Sequence, residues 1–325
     1  MNSEFLKVVL DTEGSDKGAA MVVKGAALAL EKYPKLAVCL VGDGEKIKGE
    51  CESLGIASLI GSRIEIICAK DVITNYDSPA TALFEKPDSS LVKALSALSE
   101  RDDLVGFVGA GNTGALIAGA MRFLSTPDRV RPALAAVIPS ANGGHTCLVD
   151  TGATVDCTAQ TLVHFARLGN SFMKALHKID APRIGLLSNG SEPTKGNTVV
   201  KETHALLAAA EDLNFVGNIE GTNALSGDCD VLVCDGFAGN QVLKVTEGTA
   251  RRIITDIVKL AKKSGKQEYM EIVGYLKEIY DFNSLGGAVI LGARKPVMKA
   301  HGAANEQSIL NTVGILLSQL DVPLA

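Results

Sequence analysis

The sequence lacks a basic excess: 32 Lys and Arg stand against 37 Asp and Glu, a formal charge of −5. A general nucleic-acid footprint needs clustered positive charge and a binding motif, and neither is present, so nucleic acid is not expected as a partner. Apolar residues are not scarce, at 46% against 21% charged, which rules out a disordered or fibrous chain. Tryptophan is absent and aromatics reach only 4%. Ala, Val, Leu and 33 glycines dominate instead, pointing to tight strand–loop–helix junctions. The seven cysteines are odd in number and form no Cys-x-x-Cys or Cys/His zinc spacing. Neither a disulfide framework nor a structural zinc is favoured. Cys39 and Cys68 sit inside apolar runs, where a reduced thiol packs as a small hydrophobe, so a reducing cytoplasmic compartment is the expectation. The apolar stretch near Met1 is too short for a signal peptide. Leu104–Met121 is uncharged over 18 residues, but five glycines with Asn112 and Thr113 break it, so strand–loop–helix is the better reading than a membrane span. No G-x-S-x-G elbow, H-E-x-x-H pair or P-loop lysine occurs, which excludes esterase, zincin and Walker-type chemistry.

What is present is a recurring unit of short aliphatic strand, Gly- or Asx-rich loop and helix. Leu6–Leu10, Leu36–Val41, Leu104–Val108, Ile184–Leu187 and Val231–Cys234 each lead into such a loop. Alternation of this kind implies an α/β fold with a doubly wound, mostly parallel sheet, whose binding crevice lies at the strands' carboxyl ends. Apolar residues then recur with helical period at 250, 253, 254, 257, 258 and 261, and at 269, 272, 273, 276, 279 and 280. They predict a helical hairpin over 246–282, with Lys262–Lys266 as its turn. No linker appears, so residues 1–325 read as a single catalytic domain carrying this insert.

Gly109-Ala110-Gly111-Asn112-Thr113-Gly114 matches G-x-G-x-x-G between a strand and a helix. No acidic residue closes a second strand downstream as a dinucleotide site requires, because Asp128 lies in a Pro-containing loop. Phosphate binding on helix N-terminal N–H groups, dinucleotide binding and plain tight packing all stay open. Lys195, at the end of the loop after Ile184–Leu187, could bind an anion or stabilise an oxyanion, or be a solvated loop lysine. Asp235 could orient a lysine or take a proton, and could equally cap a helix. His145, after the Asn142-Gly143-Gly144 turn, could be an acid–base residue or a structural one. The basic hairpin could meet an anionic membrane or an acidic protein, or simply bury its apolar face in a dimer.

These motifs occur in a familiar order: Val108–Ala115, Asn142–Thr146, Val155-Asp156-Cys157, Lys195-Gly196-Asn197, Cys234–Asn240, Gly286-Gly287-Ala288 and Lys299-Ala300-His301-Gly302. The chain resembles the PlsX family, the phosphate acyltransferases of bacterial phospholipid synthesis, from about residue 6 to about residue 315. The resemblance implies a three-layer α/β/α fold similar to isocitrate and isopropylmalate dehydrogenases and to phosphotransacetylase, assembled as a homodimer. It implies transfer of a fatty acyl group from acyl carrier protein to inorganic phosphate. A membrane glycerol-3-phosphate acyltransferase would use the acyl phosphate, and contact with the membrane would be peripheral. No metal or nicotinamide cofactor is implied. Phosphate can attack a thioester directly, so anion binding and oxyanion stabilisation are what such a site must supply. Lys195, Asp235 and Asn240 are then the catalytic candidates. Asn112, Thr113, Gly114, Asn197, Asp11, Asp16 and His145 are the phosphate- and substrate-binding ones.

The first loop departs from the family pattern D-A-M-G-G-D-H-A-P. It reads Asp11-Thr12-Glu13-Gly14-Ser15-Asp16-Lys17-Gly18-Ala19, without the His and Pro and with an added carboxylate. The hairpin is shorter and its turn Lys-rich. Two other functions remain alongside acyl-carrier-protein chemistry: phosphate-dependent cleavage of another thioester, as in acetyl phosphate formation of the glycine-reductase type, and a regulatory paralogue with an eroded loop.

Overall fold

A computed structural model describes residues 5–15, 17–125, 131–280, 287–302 and 304–320. The chain divides into two compact units, residues 1–134 with 283–325, and residues 135–282. The expected site residue Asp16, and Gly286 of the late motif, lie outside the described residues.

The first unit opens with β1 (Leu6–Asp11), α1 (Gly18–Lys32), β2 (Leu36–Gly42), α2 (Gly44–Ser53), β3 (Ile64–Cys68), α3 (Pro79–Glu85), α4 (Ser90–Glu100), β4 (Leu104–Gly109) and α5 (Thr113–Phe123). β5 (Ala133–Pro139) leads into the second unit. There follow β6 (His145–Val149), α6 (Ala159–His177), β7 (Arg183–Ser188), α7 (Thr198–Ala208), β8 (Asn214–Glu220), β9 (Val231–Val233), α8 (Gly236–Ser264) and α9 (Glu268–Tyr280). The chain returns to the first unit with β10 (Ala288–Leu291), β11 (Val297–Lys299) and α10 (Glu306–Ser318).

In the first unit the strand order is β3-β2-β1-β4-β11-β10, parallel except for the β11–β10 pair. In the second it is β5-β6-β9-β7-β8, parallel except for the β5–β6 hairpin. Parallel neighbours need crossovers, which the intervening helices supply, so the mixed α/β fold with mostly parallel strands stands as expected. β2 is buried along its whole length, and Val8, Val9 and Leu10 are fully buried. Only strands covered on both faces read as such unbroken aliphatic runs.

The two ends of the first unit's sheet are chemically different. At the amino ends, Lys7 of β1 reaches Glu65 of β3 at 2.8 Å and Asp103 at 3.0 Å, while Arg101 grips both acids. The Arg101 hydrogen bonds, and then Lys7, pull the half-buried Glu65 down to about 2. With these charges paired at one end, the carboxyl ends are left to loops and helix N-termini.

In the second unit, α8 starts where Asp235 accepts the Ala238 N–H at 2.7 Å. Asp150, fully buried, accepts the N–H groups of Gly152, Ala153 and Thr154, and Thr154 O accepts from Gly236 N at 2.8 Å. The first turn of α8 thus lies directly on the 150–154 loop. A Cβ on Gly239 would overlap the Asp150 carbonyl oxygen, so this packing demands glycine. α8 and α9 form the hairpin expected over 246–282, but α8 begins at Gly236 and ends at Ser264. Lys262 and Lys263, read from sequence as turn residues, are the last helical turn, where cations meet the negative end of the helix dipole. Gly265, at φ +65°, closes the helix in the left-handed conformation.

Gly239→Ala is expected to cost about 3 kcal/mol or more of stability, since the new methyl has no room. Gly248→Ala, later in α8 and facing open space, is expected to gain about 0.5–1 kcal/mol from helix propensity. Thermal denaturation of both variants checks the pair; equal melting temperatures would contradict this packing.

Candidate active site

In the first unit, the carboxyl end of β4 runs through Gly109–Asn112 into α5. Asn112 is buried and its side chain is fully committed. Its Oδ1 accepts from Ala115 N at 3.0 Å, and its Nδ2 donates to Thr74 O at 2.9 Å and Asp77 O at 3.3 Å. The amide expected to bind phosphate therefore fixes the loop, and the groups left open to an anion are the first-turn N–H groups, which have no intrahelical acceptor. These are the N–H groups of Thr113 and Gly114. Two of the three glycines of the G-x-G-x-x-G motif are explained by packing: a Cβ on Gly109 would strike the Phe107 ring, and one on Gly114 would strike Pro79. The Gly14 and Gly111 backbones are stacked on one another, so a side chain at Gly14 would also collide. Packing was the alternative that needed no ligand.

Beneath this loop, buried Lys299 donates to Ala110 O at 3.1 Å and Ala300 O at 2.6 Å, holding a cation under the bend. Asp11, at the end of β1, is buried too, and desolvation pushes its carboxyl up to about 7. Hydrogen bonds from Ser90 and from Glu13 N pull the other way, and the Glu13 charge adds to the rise. The departures of the first loop have places of their own. Thr12 is buried and donates to Val41 O at 3.1 Å, while Glu13 accepts from Asp43 N at 3.4 Å at the start of α2.

In the second unit, a cavity of about 450 Å³ opens at the carboxyl ends of β7 and β9, between the N-termini of α7 and α8. Its lining is mostly apolar, with Leu162, Leu186, Leu187, Val199, Val200, Phe237 and Val242, and its polar groups are Ser188, Asn189, Asn197, Asp235 and Gln241. Asn197 caps α7 through Val200 N at 2.9 Å, as Asp235 caps α8, so two of the expected site residues face one cavity as helix caps. Asn240 lies one turn further along α8 and donates to Thr151 O at 3.1 Å. Lys195 is exposed at the end of the 189–196 loop, which is pinned by Gly196 N donating to Asn189 Oδ1 at 2.8 Å. Among the described residues nothing pairs with the Lys195 ammonium, and Asp235 serves α8 rather than orienting it.

His145 is not brought to this cavity. It starts β6, which runs parallel to β9, and so lies at the amino end of the strands. There it stacks on His177 at 5.2 Å between ring centroids, and burial lowers both imidazoles. The reading of sequence alone missed Asp150, although an acid just after an aliphatic strand repeats the pattern of Asp235. It also gave no role to Ser188, whose hydroxyl is buried and without a partner. Cys234, the thiol in the cavity wall, is fully buried, donates to Asp150 O at 3.4 Å and is pushed well above its usual range by burial. It is no nucleophile.

Comparison with known proteins gives the family and the fold. The model of a family described as fatty acid synthesis protein matches residues 6–318. A phosphate acyltransferase of Halothermothrix orenii is 38% identical over 322 residues, covering 95% of this chain and 93% of its own. Among solved structures, a phosphotransacetylase from Streptococcus pyogenes superposes with a TM-score of 0.63 at 16% identity, covering 98% of this chain and 94% of its own. A structure described as a 4-hydroxythreonine-4-phosphate dehydrogenase from Salmonella typhimurium gives 0.55 at 12% identity, covering 96% and 98%. Both share the fold.

Asp11 carries a pH prediction. Its folded pKa of about 7 lies above the unfolded value of about 3.9, so the folded state holds the proton more tightly. Stability from this group is therefore present below about pH 4 and lost as pH rises towards 7, by up to about 4 kcal/mol for a shift of this size. Asp11→Asn, which cannot ionise, should gain on the parent between pH 5 and pH 8 in denaturant titrations. Parallel stability curves would show that Asp11 is not buried as described.

Proposed function

We infer the function from the premise that the chain belongs to the fatty acid synthesis protein family. It is an acyltransferase that passes an acyl group to phosphate. One observation supports placing the acyl end of that reaction in the second unit: a largely apolar cavity at the carboxyl ends of two parallel strands, framed by two capped helix N-termini and holding no activated nucleophile among the described residues.

Such a site suits direct attack. A phosphate oxygen adds to the thioester carbonyl carbon, the carbonyl oxygen becomes an oxyanion, and the C–S electron pair leaves with the thiolate as the acyl phosphate forms. Lys195 supplies positive charge to the phosphate or the oxyanion, with no partner of its own to displace. Asn197 and Asp235 order the helix starts whose dipoles favour developing negative charge, and Asn240 steadies the 150–154 loop. In the first unit the Thr113 and Gly114 N–H groups are that unit's phosphate-binding candidates, with Asn112 and Lys299 shaping their loop; Asp11 and Asp16 bound the separate first loop. His145 has no part in this reading.

The acyl donor is acyl carrier protein, an acidic partner for Lys259, Lys262, Lys263 and Lys266 around the hairpin tip. A second copy of the chain covers the hairpin's exposed Ile253, Leu260, Met270, Ile272 and Tyr275, giving a homodimer with residues 1–325 as its single catalytic domain. None of the seven cysteines is in a disulfide, in keeping with a reducing cytoplasm. Among the described residues no helix is long and apolar enough to cross a membrane. Passage of acyl phosphate to a membrane acyltransferase is a peripheral encounter in this reading.

Incubating hexadecanoyl carrier protein with phosphate and trapping the product as hydroxamate should give phosphate-dependent acyl phosphate. Lys195→Met should lower kcat/KM about 10²-fold with an unchanged melting temperature. Near-full turnover of that variant would remove Lys195 from the mechanism, and no acyl phosphate from any thioester would remove the function.

A further inference from the structure

The cavity beside β7 has one property that the proposed chemistry leaves unused and one that it uses only in outline. The first is a buried hydroxyl with nothing to bond: Ser188 Oγ, at the last residue of β7, has no hydrogen-bond partner. A buried unsatisfied hydroxyl is costly, and buried polar groups in folded proteins are nearly always paired. Ser188 lines the cavity, and so does Gly196, where a Cβ would come within 3.3 Å of the Ser188 oxygen. Gly196 also sits at φ +94° and against Val200, so glycine is required there and no side chain of residue 196 covers the hydroxyl. The second property is the apolar wall. Leu187 and Val242 pack on the buried Ile138–Leu148–Leu232 cluster and present their remaining surface to the cavity. Phe237, 62% exposed in the first turn of α8, stands in the same lining. The volume falls within the roughly 300–1,000 Å³ of small-molecule sites.

We propose that this cavity is the acyl-chain subsite, and that the Ser188 hydroxyl donates to the acyl carbonyl oxygen as phosphate adds to the carbonyl carbon. The proposal rests on the acyl-transfer reading and assigns it a residue and a chain-length determinant. An acyl chain is the occupant because it supplies both missing partners: methylenes for the Leu162–Val200–Val242 wall, and a carbonyl acceptor for the buried, unpaired Ser188 hydroxyl. A hydroxyl with no base beside it cannot act as a nucleophile, but it can donate.

Two measurements test this. The first is equilibrium binding of cis-parinaric acid, whose carboxylate stands in for the acyl carbonyl and whose fluorescence needs no turnover. Val200→Phe, which fills the cavity, should weaken binding at least tenfold. Phe237→Ala, at an exposed position where folding is not at stake, should weaken it several-fold, since each methylene removed from apolar cover changes affinity about fourfold. Ser188→Ala should weaken it several-fold through the lost donor. The second is acyl phosphate formation. Val200→Phe should lower the ratio of kcat/KM for hexadecanoyl over butanoyl substrate at least tenfold. Ser188→Ala should lower kcat about 10²-fold for both while the melting temperature holds or rises, because an unpaired buried hydroxyl has gone. Parent-like parinaric binding by all three variants overturns the proposal, as does Ser188→Ala turnover within twofold of the parent. A parent that binds parinaric acid as described but makes no acyl phosphate would sink the acyl-transfer reading and leave the chain cavity standing.

Discussion

The second unit depends on the contact between the first turn of α8 and the backbone at Asp150. A helix can lie that close to a loop only where side chains are missing, and Gly236 and Gly239 leave them out. Once it is there, the Asp150 carboxylate and the Thr154 carbonyl satisfy backbone donors that would otherwise be buried unpaired. Several things follow from the one contact. Asp235 becomes a helix cap, the Cys234 thiol is sealed against Asp150, Asn240 reaches Thr151, and the cavity gains its α8 wall. A motif that looks like a string of catalytic residues is first a solution to a packing problem.

The first unit solves a similar problem with different groups. Gly14 and Gly111 let two loops touch backbone to backbone, Asn112 spends its whole amide on fixing the bend, and Lys299 donates to the carbonyls beneath. One ion-pair network, of Lys7, Glu65, Arg101 and Asp103, sits at the amino ends. At the carboxyl end of β4 the Thr113 and Gly114 N–H groups and the α5 dipole are what an anion could meet. The departures of the first loop fit this frame: Thr12 bonds inward to β2 and Glu13 turns to the start of α2.

Much of this was legible in the sequence. Runs such as Leu36–Gly42 and Leu104–Gly109 announce buried parallel strands because both their faces are aliphatic. The hairpin's two faces were readable from period, and its turn was displaced only because lysines are as welcome in a last helical turn as in a loop. β8, with Asn214, Gly217, Asn218 and Glu220, gives no such run, since it is an edge strand with half its residues open. At the site, the type of each residue was visible but its spare bonding capacity was not. Nothing in Asn112 says that all its hydrogen bonds are taken, nothing in Ser188 says that none is, and nothing in His145 says that it starts its strand at the far end. Those facts belong to three dimensions.

The central claim is that phosphate attacks the thioester directly, with no acyl-enzyme intermediate. The hydroxyl in the cavity has no base, and the thiol there is buried and held protonated. The most direct test is exchange of isotope-labelled carrier thiol into hexadecanoyl carrier protein with phosphate rigorously removed. Direct attack predicts no exchange until phosphate is added. Phosphate-independent exchange, at a rate near that of turnover, would reveal a covalent acyl-enzyme and contradict the claim.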